Sequence, residues 1–318
     1  MQRRSLITGA ASLLARPLFG AEGLTEIQFV RKAGQIDVLS GGEPLSAFVF
    51  DPKWDKPFVY PLRTTSGRIV SRGFPLEQRQ GDSTDHVWHR GIWYGHGDIN
   101  GQDFWRELGR EKTGTLKLLS EPRVRKRGRH AAIQASFALQ PVAGTPLGTV
   151  HQEWSFAKHS QAVWIGASIA VHADRGMALK FGDTDDGGFG IRLREEFRED
   201  AGAVLRNSEG LETTEEIWGK PARWVEYAAK VGGADISVIM FDHPRNLRHP
   251  GRWHARGYGL CAANPFGLQS FLQDRSRDGS HTLPPGGQLA FRYRIIIHEG
   301  GAGSADIEDL YSAFARGK

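Results

Sequence analysis

The chain has 318 residues, a formal net charge of +5 and a single cysteine, Cys261. That length supplies ample material for a core, and one cysteine excludes both an internal disulfide and a metal site built from cysteines. The 40 glycines exceed the roughly 7% of an average chain and favour an all-β protein rich in turns over a helical bundle.

Residues 1–21 predict an export signal rather than part of the fold. Arg3 and Arg4 precede a short, weakly apolar run, which is the pattern of a twin-arginine signal. Cleavage is expected near Ala21, and a retained signal would instead anchor the protein to the membrane. No later apolar run reaches the ~18 residues of a membrane helix. The mature chain, 22–318, is therefore expected to be periplasmic or secreted and without a transmembrane span.

Alternating apolar and polar residues predict strands along most of the chain. In VWIGASIAV, residues 163–171, the odd-numbered positions are all apolar, as in a half-buried strand. Clusters such as LSGGEP and LPPGGQ separate these segments and predict turns. An apolar stripe predicts a short C-terminal helix: Ile307, Leu310, Tyr311 and Phe314. Residues 22–318 therefore predict one domain, a large β-sandwich of two antiparallel sheets.

One dense basic run, RVRKRGRH at residues 123–130, raises the question of nucleic-acid binding. Its basic side chains alternate with apolar neighbours on either side of a glycine, which is typical of the solvent face of a hairpin. No nucleic-acid-binding motif accompanies the run. We therefore expect no nucleic-acid partner.

The stretch DHVWHRGIWYGHGDINGQDFW, residues 85–105, concentrates ionisable and aromatic side chains between glycines. Loops held by a rigid scaffold are where binding residues usually lie, so this stretch is expected to form one wall of an active site. His86 and His89 are candidates for catalytic proton transfer, because histidine titrates near neutral pH. Together with His96 they form an alternative, open site for a divalent metal ion.

Segments further along the chain carry more candidates. Asp186 in DTDDGG adjoins a glycine pair and is a candidate general base, and His254 in RWHARG is a candidate for proton transfer. Arginine and asparagine bond hydroxyl groups, and indole rings stack on the C–H surface of a sugar. The predicted substrate-binding residues are Arg90, Trp93, Asn100, Trp105, Arg192, Arg256 and Asn264.

Several segments resemble, in order, a bacterial family labelled PmoA-like: PLRTTSGRIVSRGFP, the histidine-rich stretch, GGFGIRL, ANPFG and FRYRIIIHEG. The resemblance covers about 61–300. The usual D-H-P-H-H-R-G motif keeps His86 and His89 but has Val87 and Trp88 in place of proline and histidine. The resemblance implies a fold similar to the galactose-mutarotase-like supersandwich, with a concave sugar-binding face. It does not imply membrane methane oxidation, because the chain lacks long apolar helices.

We therefore predict an exported carbohydrate-active enzyme that acts on a sugar or modified glycoside by histidine and aspartate acid–base chemistry. A lyase, an epimerase and a hydrolase all fit, and the substrate is a small molecule or an oligosaccharide. Two alternatives remain open. One is a metal-dependent oxygenase or hydrolase at His86, His89 and His96, and the other is a non-catalytic sugar-binding module. Several histidines beside acids and arginines favour catalysis over plain binding.

Overall fold

The computed structural model describes residues 25–127 and 130–317, so the predicted export signal lies outside the described residues. The strands are β1 (Ile27–Lys32), β2 (Gln35–Ser40), β3 (Glu43–Val49), β4 (Phe58–Val59), β5 (Ile92–His96), β6 (Thr115–Leu118), β7 (Arg123–Arg127), β8 (His130–Gln140), β9 (Thr149–Lys158), β10 (Ala162–His172), β11 (Leu179–Phe181), β12 (Gly187–Arg192), β13 (Val204–Asn207), β14 (Trp224–Val231), β15 (Ala234–Asp242), β16 (Arg252–Arg256), β17 (Leu260–Asn264), β18 (His281–Leu283) and β19 (Gln288–Glu299). The α-helices are α1 (Thr214–Ile217), α2 (Leu268–Leu272) and α3 (Ser304–Ala315). Strands dominate, which confirms the predicted all-β class.

Two large sheets make up the sandwich. The first sheet has the order β1-β2-β3-β4-β5-β12-β17-β16, and the second has the order β13-β14-β15-β19-β10-β9-β8-β6, with β7 paired to β8. Strands β11 and β18 form a small separate sheet. The paired strands run antiparallel in all of them. The predicted antiparallel sandwich is therefore confirmed.

The main apolar core lies between the two large sheets. Strand alternation directs Ile92 and Tyr94 of the first sheet into it, and Ile165 and Ile169 of the second. The alternating segment 163–171 thus has the half-buried character that its sequence predicts. Apolar area removed from water, at about 25 cal/mol per Å², holds the two sheets face to face.

The predicted C-terminal helix is confirmed as α3. Its apolar stripe packs on the outside of the second sheet, in a buried cluster that contains Ile307, Leu310, Tyr311, Phe314, Trp224, Ile239, Phe241 and Ile296. In the part of the chain that the structure describes, no helix is long and apolar enough to cross a membrane.

The outer face of the first sheet carries a further buried apolar cluster, which we call the outer-face cluster. Its members are Val49, Phe58, Tyr60, Trp93, Trp105, Leu260 and Ala262. Loops therefore cover this face, and the histidine-rich stretch 85–105 supplies part of that cover and part of the cluster.

Candidate functional site

One row of side chains crosses the outer face of the first sheet. Residues opposite each other in an antiparallel pair share a face. The register puts four such residues in line on the neighbouring strands β5, β12, β17 and β16. In that order they are Trp93, Gly190, Ala262 and His254. The two residues in the middle of the row, Gly190 and Ala262, are small and buried.

The glycine of this row makes room for two tryptophans. A Cβ atom at Gly190 would lie 2.8 Å from Cζ2 of Trp93 and 3.0 Å from Cη2 of Trp105. Both indoles are fully buried, and their ring centroids are 5.2 Å apart. These two predicted substrate-binding residues therefore form the buried support of the site, and neither offers an open face to a ligand.

The loop before β5 carries an aspartate–histidine pair. Nδ1 of His86 donates to a carboxylate oxygen of Asp85 at 2.5 Å. Within the described residues, Nε2 of His86 has no hydrogen-bond partner, and the side chain is 38% exposed. The backbone of His86 has φ 44°, a left-handed conformation that is uncommon for residues other than glycine. The loop therefore holds the imidazole in one orientation and presents one ring nitrogen to solvent.

Two buried arginines hold the carboxylate of this pair. Nη1 of Arg72 donates to Asp85 at 2.5 Å, and Nη2 of Arg192 donates to it at 3.0 Å. Arg72 also donates to the backbone carbonyls of His86 and His89. Partial burial opposes ionisation, but Arg192, the hydrogen bond from His86 and Arg72 hold the pKa of the carboxyl well below its usual range. The pair is therefore an ionised carboxylate on an oriented imidazole.

His86 lies in a stack of rings. Its ring stacks on Tyr258 at 5.6 Å and on His89 at 4.8 Å. His89 in turn stacks on Trp93 at 5.0 Å. His89 is 1% exposed, and neither of its ring nitrogens has a hydrogen-bond partner among the described residues. Burial, reinforced by Arg192, holds the pKa of His89 well below 6.5. His89, predicted to be catalytic, is thus a neutral ring that positions His86.

A second polar cluster surrounds His254 at the other end of the row. Nδ1 of His254 donates to the carbonyl of Asp185 at 2.7 Å, and its Nε2 accepts from Nε of Arg256 at 3.1 Å. These partners assign the proton to Nδ1 of a neutral ring. Burial lowers the pKa of His254, although its bond to the Asp185 carbonyl opposes this. His254 therefore positions Arg256, whereas the sequence predicted a proton-transfer role for it.

The accessible groups of this cluster are a guanidinium and a carboxylate. The guanidinium carbon of Arg256 lies 3.7 Å from the ring centroid of Trp218, and the side chain is 41% exposed. Asp185 lies 3.8 Å from Arg256 and is 34% exposed. The neighbouring Asp186, predicted as a general base, accepts two hydrogen bonds from Arg106, at 2.9 and 2.5 Å. Asp185 is therefore the less engaged of the two acids.

The register also sets the distance between the two clusters. Arg192, which holds the aspartate–histidine pair, is opposite Leu260, and Leu260 is opposite Arg256. Neighbouring strands lie about 4.8 Å apart, so two spacings separate the two arginine backbones by about 10 Å. This spacing is on the scale of a small-molecule ligand.

Two predicted asparagines bind backbone groups. The amide of Asn100 bonds main-chain atoms of residues 178–180, beyond the end of β5 and away from the row. The amide of Asn264 donates to the carbonyls of residues 184–185. Asn264 thus positions the loop that carries Asp185, and Asn100 joins two loops elsewhere.

Arg90, also predicted to bind substrate, belongs to a buried ion cluster beneath the site. Glu107 accepts hydrogen bonds from Arg90 and, at 2.9 Å, from Nζ of Lys56. The guanidinium of Arg90 lies 4.4 Å from the ring centroid of Trp54. Burial lowers the pKa of Lys56, although Glu107 opposes this. Arg90 therefore supports the loop and does not face solvent.

The predicted metal ligands are not brought together. His96 donates from Nε2 to the carbonyl of Gly182 at 2.9 Å, and its ring packs on Phe266. His86 and His89 belong to the ring stack described above. Within residues 25–127 and 130–317, no group of three or more His, Cys, Asp or Glu side chains is arranged to hold a metal ion. The predicted metal site of His86, His89 and His96 is therefore wrong for the described structure.

Four residues of the site were absent from the predicted site residues: Asp85, Arg72, Tyr258 and Trp218. Asp185 lies in the predicted acidic segment, but Asp186 was preferred to it. One signal was available, because Asp85 directly precedes a candidate histidine. Arg72, by contrast, lies 13 residues before the carboxylate it binds and follows no local pattern.

A family model described as "Family of unknown function (DUF6807)" matches residues 35–312. The match spans most of the chain, so the chain belongs to this family. No curated protein matches this chain. The family's description carries no PmoA label, and that part of the resemblance stays a prediction.

Solved structures match the chain at low identity and low TM-score. A galactose mutarotase-like protein from Clostridium acetobutylicum has a TM-score of 0.36 and 10% identity, over 86% of this chain and 99% of that chain. A galactose 1-epimerase from Lactobacillus acidophilus has a TM-score of 0.35 and 9% identity, over 87% of this chain and 100% of that chain. A galactose mutarotase related enzyme from Lactobacillus acidophilus has a TM-score of 0.35 and 10% identity, over 86% and 98%. At these scores, neither fold nor function is assigned from the likeness.

Proposed function

We propose that the chain is an enzyme that transfers a proton on a sugar or modified glycoside, with His86 as the acid–base group. The observation that carries this proposal is the hydrogen bond from Nδ1 of His86 to Asp85, together with an unengaged Nε2. A carboxylate that holds one ring nitrogen leaves the other to take or give a proton, as in many hydrolases. Plain ligand binding gains nothing from that orientation.

Arg256 supplies the complementary charge. Its guanidinium is held over Trp218 and bonded to His254, and it remains partly exposed. A pre-positioned cation stabilises negative charge that develops as a proton leaves the substrate. Strand spacing puts the backbone of Arg256 about 10 Å from that of Arg192, which holds the Asp85–His86 pair.

Aromatic rings beside polar groups favour a sugar as the substrate. Trp88 is partly exposed, and the rings of His86 and His89 meet it nearly at right angles rather than stacking on it. Aromatic ring faces stack on the C–H surface of a sugar, while carboxylate and guanidinium groups hydrogen-bond its hydroxyl groups. Export, predicted from residues 1–21, belongs to the same proposal and implies a substrate outside the cytoplasm.

One oriented imidazole and one pre-positioned, partly exposed guanidinium favour epimerase or lyase chemistry. In both reactions a base removes a proton and a cation stabilises the anion that remains. A glycosidase instead uses two carboxyl groups flanking the bond to be broken. Asp85 is committed to two arginines and a histidine, so it is not free to serve as one of such a pair.

The test is a ¹H NMR screen of neutral and oxidised sugars and glycosides, followed for epimerisation, elimination and hydrolysis. We expect turnover by the wild type and a loss of about 10²–10⁴-fold in His86→Gln, the usual contribution of a positioned acid–base group. The control is His151→Gln, an exposed histidine on the outer face of the second sheet. Equal turnover by wild type and His86→Gln would overturn the proposal.

A further inference from the structure

A cavity of about 680 Å³ lies on the same outer face as the site, over β2, β3 and β4. Its lining includes Gln35, Val49 and Phe58. In the register, Gln35 is opposite Val49, and Val49 is opposite Phe58. Phe58 is opposite Trp93, so these residues extend the row that ends at His254. We call this cavity the β2–β4 groove.

The β2–β4 groove begins one strand away from the site. Strands β4 and β5 are direct neighbours, which separates them by about 4.8 Å. Trp54 and Leu76 line the groove, and Trp88 lies beside His86. All three of these apolar side chains pack against the outer-face cluster. One apolar support thus underlies both the groove and the site, so a ligand longer than one ring can occupy both.

The lining of the groove favours an uncharged ligand. Three ion pairs neutralise its acids: Asp37 with Lys32 at 2.5 Å, Asp51 with Lys53 at 3.6 Å and Glu77 with Arg79 at 2.7 Å. A ligand that carries many charges of one sign would meet both carboxylates and cations in this groove, so it would be repelled as well as attracted. Carboxylate oxygens bond hydroxyl groups, and the partly buried ring of Trp54 offers surface for C–H groups.

We propose that the β2–β4 groove binds the non-reacting units of a neutral oligosaccharide whose reacting unit lies at His86. This inference rests on the proposed function and names its substrate class. The cavity volume falls within the ~300–1,000 Å³ of ligand sites. Binding energy from remote parts of a substrate can be used at the reacting centre, so longer chains gain affinity and turnover.

The experiment is calorimetric titration of the His86→Gln variant with neutral gluco-, xylo- and galacto-oligosaccharides of one to four units. We expect that, in at least one of the three series, the trisaccharide binds at least about tenfold more tightly than the monosaccharide. Adding Leu39→Trp fills the groove, and adding Trp54→Ala removes one of its rings. Each lowers this gain to about threefold or less. The matched control Val142→Trp, at an exposed apolar position outside the groove, keeps the gain.

Each outcome separates this inference from the proposed function. Affinity independent of chain length, a gain that survives both groove variants, or binding of charged oligosaccharides only would overturn the inference. If wild-type protein converts a monosaccharide through His86 without any gain from longer chains, the inference fails and the proposed function stands. If groove-dependent binding occurs and no wild-type turnover does, the groove stands as a binding site and the proposed function fails.

Discussion

Nδ1 of His86 lies 2.5 Å from the carboxylate of Asp85, the residue directly before it in the chain. Adjacent side chains meet in this way because His86 takes a left-handed backbone conformation, with φ 44°. Such a conformation costs roughly 1–3 kcal/mol and persists where the surroundings impose it. The surroundings here are Arg72, which bonds both the carboxylate and the His86 carbonyl, and Arg192.

The first prediction concerns this pair. Asp85→Asn removes the ionised carboxylate that orients the imidazole, so kcat is expected to fall by about 10²-fold or more, with a smaller change in KM. Steady-state kinetics on a substrate from the screen measure this. Asp235→Asn, at an exposed surface ion pair, is the control and retains wild-type kcat. An unchanged kcat in Asp85→Asn would mean that the pair is structural.

Packing at the centre of the row gives a second prediction. Gly190→Ala forces a Cβ atom against Trp93 and Trp105, so the free energy of unfolding is expected to fall by about 1–3 kcal/mol. The near-ultraviolet circular dichroism of the tryptophans should change with it. Gly101→Ala is the control, because φ is 79° there but no atom lies within 4 Å. It costs about 1 kcal/mol of backbone strain and leaves the tryptophan signal as in wild type. Identical spectra for all three proteins would contradict the packing described here.

The buried ion cluster gives a third prediction. Glu107→Gln leaves the buried cations of Lys56 and Arg90 without their carboxylate. Removing one partner of a buried pair costs about 3–5 kcal/mol, which urea unfolding at neutral pH measures. Glu111→Gln, four residues further on and 71% exposed, should change stability by about 0.5 kcal/mol or less. Equal effects of the two substitutions would show that the cluster is solvated.

A fourth prediction concerns acid stability. Burial lowers the pKa of His96 from 6.5 to about 4. Between these values the unfolded chain binds a proton that the folded chain does not, so stability falls as the pH falls and is retained above 6.5. The difference corresponds to about 3 kcal/mol. In His96→Leu, the free energy of unfolding should lose that much less between about pH 7 and pH 4. An unchanged pH profile would mean that the pKa of His96 is the same in the folded and the unfolded chain.

Local pattern accounts for much of the fold. The alternation in residues 163–171 predicts β10, and the apolar stripe near the C-terminus predicts α3. Both patterns reflect which side of an element is buried, and that is a local property. The pairing order of the sheets is not local, because β5 joins β12 and β12 joins β17 across long intervening segments.

The candidate site was predictable in location and only partly in roles. Residues 85–105, the predicted wall of the site, contain His86, but the three predicted metal ligands do not lie together. Trp93 and His96 both lie in β5, three positions apart, so alternation puts them on opposite faces of the sheet. His89 stacks on Trp93 and is therefore on the opposite face from His96. The sequence-based interpretation placed all of residues 85–105 in a loop and so missed that strand β5 separates His96 from the other two histidines. Asp186 and His254 are engaged by Arg106 and Arg256, neighbours that only the folded chain reveals, and their catalytic roles stay predictions.

The central claim is that Nε2 of His86 transfers a proton on a sugar. The most direct measurement is conversion of the sugar panel in deuterium oxide, with deuterium incorporation and product formation followed by NMR for wild type, His86→Gln and His151→Gln. We expect conversion by wild type and His151→Gln and a loss of about 10²-fold or more in His86→Gln. Conversion at the same rate by His86→Gln, or by none of the three proteins, would contradict it.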